Sequence, residues 1–318
     1  MNPILRKELK LGSRSIRFTI SLMLYAGMIA AIALLSLHSM VNRYTYMEDR
    51  GMWYYLYNSG IMDFNILTNL FLGLAIGQAI MVCVIMPVLT AGSIAGERER
   101  QTLEILLTAP ISSGRIVRGK LYAAMTNMLL YIIVSMPAIA ITFIYGGVHF
   151  IYIPIIFFAT MAVAFLCGAI GVWCSAMYKK TILSVIMTMC VEFLLVVGPI
   201  VFVAVVYWAS YYSQLKMGNL SNPVSLGISP LVLLLDPAVS FGEVVSKAFT
   251  GESIIDNVVI GGINGQSSGL VGMLVPYWSF ISMVIMILLG CFFIMLAARQ
   301  LDKVYLKDKK ISKKKKDK

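Results

Sequence analysis

The stretch FIYIPIIFFATMAVAFLCGAIGVWCSA, Phe150–Ala176, contains no Asp, Glu, Lys or Arg in 27 residues. A helix rising about 1.5 Å per residue needs about 20 apolar residues to cross the hydrocarbon of a bilayer. A helix on the surface of a soluble domain carries a charged face, and this stretch has none. It reads as a transmembrane span. The same reading applies to Phe18–Leu37, Ile66–Ile94, Leu121–Tyr145, Thr181–Trp208 and Trp278–Ala298. The fold class expected is an all-α membrane protein with six transmembrane helices. Composition agrees: of 318 residues, 59% are hydrophobic and 13% are charged, against about 45–50% and about 25% in soluble domains. The first run follows a basic start and exceeds the apolar core of a signal peptide, so it is expected to be a retained span.

Charge orients the spans. With the N-terminus inside, the inner segments hold Arg6, Lys7, Lys10, Arg14 and Arg17; Arg98, Arg100, Arg115, Arg118 and Lys120; Lys179 and Lys180; and Arg299 with the lysines of the tail. The outer segments hold only Arg43, Arg50, Lys216 and Lys247. That is 22 basic residues on one side and four on the other. The positive-inside rule then gives cytoplasmic N- and C-termini. The net charge of +11 is thus a topology signal and not a nucleic-acid footprint. The basic tail, residues 299–318, reads as solvated, with attraction to anionic membrane lipids as its alternative.

Cys83, Cys167, Cys174, Cys190 and Cys291 all fall within spans, with no C-x-x-C among them. They read as small apolar fillers. His38 and His149 are dispersed, and the 21 methionines follow no ligand spacing, so no metal site is expected. Residues 1–17 alternate apolar and basic positions, as an amphipathic interfacial helix does. Tyr44, Tyr46, Trp53, Tyr54, Tyr55 and Tyr57 suit headgroup anchoring. Spans three and four, joined around Gly146-Gly147, should form a tight hairpin. The segment of about 209–277 reads as a long external loop, with two short apolar stretches, Leu226–Leu235 and Leu270–Val275, as re-entrant pieces. Gly261–Gly265 reads as a flexible loop. The six-span domain therefore covers about 18–298.

The informative inner segment is GERERQTLEILLTAP, Gly96–Pro110. Leu103, Leu106 and Leu107 recur at helical spacing. Glu97, Gln101 and Glu104 fall on another face, and Glu97–Gln101 and Arg100–Glu104 are i,i+4 pairs. Pro110 ends the run. These residues predict one short amphipathic helix over about 96–110. Apolar anchors with a charged rim suit a groove on another protein, and they equally suit a helix lying on lipid.

This stretch, with Ile111, Ser112 and the later Gly119-Lys120, resembles the cytoplasmic signature of the type-2 ABC exporter permeases, approximately E-R-E-x-G-T-L-E-x-L-L-x-x-P-[IV]-S followed by Gly-Lys. The match holds at Glu97, Arg98, Glu99, Thr102, Leu103, Glu104, Leu106, Leu107, Pro110, Ile111, Ser112, Gly119 and Lys120. It departs at Gln101, where the family has Gly; in a helix interior Gln is the better residue. The resemblance implies that this helix is a coupling helix, with Glu97, Glu99, Thr102, Leu103, Glu104, Leu106 and Leu107 docking an ATPase. It implies two ABC ATPase subunits and a second permease subunit, identical or paralogous, as partners. It also implies a bacterial plasma membrane location. ATP and Mg would be bound by the partner subunit, with no cofactor in this chain.

Gly114–Lys120 satisfies G-x-x-x-x-G-K, but Leu121 follows in place of Ser or Thr and no strand precedes it, so a phosphate loop is not expected. Glu192 is the one acid deep in a span, and Ser184, Thr188 and Glu192 form a stripe at i, i+4 and i+8. A charge at the bilayer centre costs about 2.5–3.5 kcal/mol on insertion scales. Glu192 must therefore face protein or water. In the resembled family the second and fifth spans line the pathway. Gln78 on the second span and the Ser184–Thr188–Glu192 stripe are thus pathway candidates; a helix-bonding Glu192 is the alternative. Gly73-x-x-x-Gly77 and Gly92-x-x-x-Gly96 permit close helix approach. A secondary transporter or channel should show repeated halves or several intramembrane charges. A membrane enzyme should show a cluster of catalytic side chains. Neither pattern is found, and a non-transporting scaffold is the remaining alternative.

Overall fold

The computed structural model describes residues 16–49, 64–103, 112–144, 151–216, 229–251, 253–255 and 273–316. The long helices are α1 Ile16–Asp49, α2 Phe64–Glu99, α3 Ser113–Ile144, α4 Tyr152–Met177, α5 Thr181–Lys216, α6 Pro237–Thr250 and α7 Trp278–Lys316. A 3-10 helix, Ser229–Leu235, precedes α6, and another, Val275–Tyr277, precedes α7. Six of the helices, all but α6, are long and apolar enough to cross a membrane. Among the described residues there is no strand.

The bundle is organised around α4, which packs against α2, α3, α5, α6 and α7, while α1 sits on the edge against α2 and α3. Small residues make the hub possible. A Cβ on Gly171 would collide with Thr90 of α2 and approach the Ala91 backbone nitrogen at 3.4 Å. One on Gly168 would meet Met86 and stand 2.8 Å from Leu121. Backbones thus approach where the side chain is absent, which is how helices associate when lipid is as apolar as the interface. The middle of the bundle is filled by Leu74, Val82 and Met86 of α2, Met128 and Tyr131 of α3, and Leu166 and Ile170 of α4. Tyr131 also takes edge-on contacts from Phe18 and Tyr25 of α1.

One end of the bundle gathers the C-terminus of α2, the N-termini of α3 and α5, the C-terminus of α4 and the middle of α7. Here Ile94, Leu103, Ile116, Val117, Leu121, Val172, Ala297 and Leu301 form a separate apolar cluster. We call it the motif end. At the opposite end Phe241, Val244, Val245 and Ala248 of α6 pack with Phe71, Ala75, Ile139 and Ile156.

Helix α6 departs from the expected external loop over 209–277. Asp236 caps its N-terminus, accepting from Ala238 N at 2.8 Å and Val239 N at 3.3 Å, and Pro237 opens the first turn. Gly251, at φ 73°, closes the other end. Proline at the start and glycine past the end are ordinary helix punctuation, and the apolar positions recur at i, i+3, i+4 and i+7. The loop also begins later than expected, because α5 continues to Lys216. Of the two short apolar stretches, the described part of Leu226–Leu235 forms the 3-10 helix. Glu243 of α6 is fully buried and is held by Lys247 at 3.1 Å, Ser253 Oγ at 2.5 Å and Ile255 N at 3.2 Å. Lys247 also donates to Val275 O at 3.3 Å.

The final span runs without a break to Lys316, so the tail expected from residue 299 continues the helix α7. Of the interfacial helix expected over 1–17, Ile16 and Arg17 open α1; residues 1–15, the Gly146-Gly147 link, the Gly261–Gly265 loop and Glu104–Pro110 lie outside the described residues.

Candidate functional site

At the motif end α2 stops in a defined cap. Gln101 N donates to Arg98 O at 3.1 Å and Thr102 N donates to Glu97 O at 2.9 Å. These two bonds are the paired closure of a Schellman cap, with Gln101 at the left-handed position. Gln101 has φ 59°, the one positive φ at a non-glycine residue among the described residues. The expectation of a single helix through 96–110 is corrected here. The span helix ends at Glu99, the chain turns through Arg100–Thr102, and Leu103 starts anew. Position 101 is therefore a cap and not a helix interior. The family's glycine fits it without strain, whereas a side chain there costs about 1–2 kcal/mol.

The charged residues before the cap turn inward. Lys120 Nζ lies 2.8 Å from Glu97 Oε1 and donates to Ser93 O at 2.8 Å. The Lys120 side chain is only 3% exposed, so its ammonium is neutralised inside the protein, as a buried charge requires. Gly114–Lys120 lies in the opening turns of α3. Arg98 donates to Tyr178 O at 3.1 Å and to Ala176 O at 3.2 Å. Those carbonyls end α4, where a helix lacks its own donors and favours a cation. Glu99 accepts from Thr181 Oγ1 at 2.6 Å. Thr181 opens α5, and it sits against α2 at Gly92 and Gly96, where a Cβ would stand 3.3 Å and 3.6 Å from it. Ser175 Oγ accepts from Ile94 N and Ala95 N, each at 2.9 Å.

The docking candidates therefore divide. Glu97 is ion-paired within the chain, Glu99 is exposed and bonded to Thr181, Thr102 is exposed, and Leu103 is buried in the motif-end cluster. Glu104, Leu106 and Leu107 lie outside the described residues. The clamp of Arg98, Ser175 and Thr181 on the α4–α5 turn was not anticipated. Arg98 was visible in the motif, but nothing in helical spacing pairs it with carbonyls about 80 residues on.

The pathway candidates Gln78, Ser184, Thr188 and Glu192 are all buried. They do not form one group. Gln78 Nε2 faces Thr160 Oγ1 at 3.5 Å, Thr188 Oγ1 donates to Ser184 O at 2.7 Å, and Glu192 lies beside Cys83 and Cys167. Gln78 Oε1, Ser184 Oγ and Glu192 Oε1 are buried without a hydrogen-bond partner among the described residues. A buried polar atom left so is costly, about 1–3 kcal/mol. The outward face of α5 is apolar. Val201, Ala204, Val205, Trp208, Ala209 and Tyr212 line a shallow groove of about 420 Å³ on it.

No curated protein matches the chain closely enough to count as a relative. The family described as ABC-2 family transporter protein matches residues 2–304. With six apolar helices and a family match over nearly its whole length, this chain belongs to the ABC-2 family of transporter membrane proteins.

Proposed function

We propose that this chain is the permease subunit of an ATP-driven exporter in a bacterial plasma membrane, with both termini cytoplasmic. It pairs with a second permease subunit, identical or paralogous, and two ABC ATPase subunits that bind ATP and Mg. The segment from Thr102 to Pro110 is the coupling element, with Glu104, Leu106 and Leu107 meeting the ATPase and Thr102 and Glu99 at its edge. Glu97 and Leu103 hold that element to the spans. The observation that carries this reading is the mounting of the segment. The α2 cap is bonded to α3 through Glu97–Lys120 and to the α4–α5 turn through Arg98 and Glu99, so a push on the segment reaches four spans at once.

For the pathway, we propose that Gln78, Ser184, Thr188 and Glu192 line a route that opens when α5 separates from α2 and α4. In the present arrangement all four are buried in the protomer. A helix-bonding role for Glu192 is the second reading, favoured by its contact with Cys167.

The coupling assignment is tested by Glu104→Lys and Leu107→Asp in the full complex. Truncating or reversing one partner of a buried charged contact costs about 2–5 kcal/mol at an interface. Each variant should reach the membrane at normal level and lose its ATPase in affinity purification. Full ATPase recovery with both variants would make this segment a lipid-facing element.

A further inference from the structure

Within the mounting of the coupling segment, Arg98 is the residue that joins α2 directly to the carbonyls ending α4. Its two guanidinium nitrogens reach two different carbonyls, Ala176 O and Tyr178 O, at the end of α4. A planar fork presents its donors on separate nitrogens and reaches acceptors set apart, whereas an ammonium brings its three donors to a single point. The same turn is held a second time, by Thr181 Oγ1 on Glu99, and a third time, by Ser175 Oγ under the Ile94 and Ala95 amides. All three attachments belong to the last turns of α2, immediately before the cap. Helix α5 buries few residues along its length: among its described residues only Ser184, Thr188, Glu192 and Pro199 are buried.

We infer that Arg98 is a positioning residue that makes the α4–α5 turn move as one piece with the coupling segment, so that displacement of that segment is delivered to the base of α5. Arg98 faces the chain's own carbonyls and serves transmission, while contact with the ATPase falls to residues beyond the cap. This inference rests on the coupling role proposed above. The pivot it identifies is Thr181 in the Gly92–Gly96 groove, the first residue of the least buried span.

Hydrogen exchange of the full complex in lipid nanodiscs tests the idea, with Arg98→Ala, Arg98→Lys and Thr181→Val. Charge-assisted hydrogen bonds hold the turn closed, and local opening is what exchange reads. Amides 178–184 should exchange about tenfold to a hundredfold faster in Arg98→Ala. Arg98→Lys should fall short of full rescue because one nitrogen replaces the two that meet Ala176 O and Tyr178 O separately. Thr181→Val, a near-isosteric change that leaves Arg98 in place, should give a smaller increase of the same sign. In all three the amount of co-purified ATPase should stay at the wild-type level, while the nucleotide-dependent change in exchange at 178–184 disappears. Unchanged exchange at 178–184 in Arg98→Ala would overturn the inference. So would loss of the ATPase with unchanged exchange, which would make Arg98 a partner contact. A wild-type preparation without any ATPase would sink the exporter reading instead, and the exchange arm would still decide the clamp.

Discussion

Helices α4 and α5 follow one another in the chain with nearly equal mean hydropathy, 2.5 and 2.7 over an 18-residue window of each, yet 72% of the first window is buried and 6% of the second. Hydropathy measures aversion to water, and both lipid and protein interior satisfy it. What divides the two helices is size and polarity. Gly168, Gly171, Ser175 and several alanines let α4 take the centre, because dispersion and close backbone approach hold helices together in a bilayer. The buried positions on α5 are Ser184, Thr188, Glu192 and Pro199, while Ile182, Phe193, Leu194 and Trp208 are exposed. In a membrane the polar stripe is the inward face and the bulky apolar face is the outer one.

The largest expected effect lies at the tightest point of this contrast. Gly171→Leu puts a side chain into Thr90 and the α2 backbone. Overpacking costs about 1–3 kcal/mol in ordinary cores, and more where backbone must shift. We expect Gly171→Leu to abolish monodisperse folded protein. Gly198→Leu on α5, where nothing lies within 4 Å, should change thermal stability by no more than about 0.5 kcal/mol. Equal losses at the two sites would break the comparison.

The stripe on α5 supplies the second test. Glu192→Gln keeps size and hydrogen-bonding capacity and should keep the unfolding temperature while altering transport-linked ATPase activity. Glu192→Leu should alter that activity more severely. If Glu192→Leu instead lowers the unfolding temperature and activity per folded molecule stays normal, the stripe is helix glue and the pathway assignment is lost.

The smallest effect concerns the C-terminal half of α5, whose Val203 packs with Leu233, Leu234 and Trp278 beside the α6 cap. Burial pushes the Asp236 carboxyl up to about 6, against the lowering pull of two backbone amides. A folded value above the ordinary 3.8 means that the folded state holds the proton more tightly. Asp236 therefore adds stability that is complete below pH 3.8 and is lost as pH rises through about 6. Asp236→Asn still caps the helix but cannot ionise, so it should flatten the stability profile across that window. A wild-type profile whose slope is unaltered by Asp236→Asn would remove this group from the account.

The six spans were legible because runs such as Thr181–Trp208 leave no alternative to lipid, and α5 indeed begins at Thr181. Which face of each span is buried was only half legible. The stripe at 184, 188 and 192 gave α5 its inner face, whereas the Gly168 and Gly171 contacts depend on a partner helix that no local pattern names. Helix α6 was written in Asp236-Pro237 and Gly251, but the eye follows long apolar runs and passes over a short amphipathic one. Gln101 suits a helix interior by propensity, but it occupies a left-handed cap, a conformation that propensity does not report. The Arg98 clamp joins positions about 80 apart, and tertiary ties of that range leave no trace in spacing.

Lys120 has a consequence for biogenesis. A basic residue beside a span helps choose its orientation while the chain is being inserted. In the finished protein the Lys120 side chain is 3% exposed and its ammonium is already neutralised by Glu97. A charge read for orientation during insertion would thus be withdrawn from reach once α2 seats on α3. A substitution at Lys120 thus has two routes to failure, an early one in the direction of threading and a late one in the seating of α2 on α3.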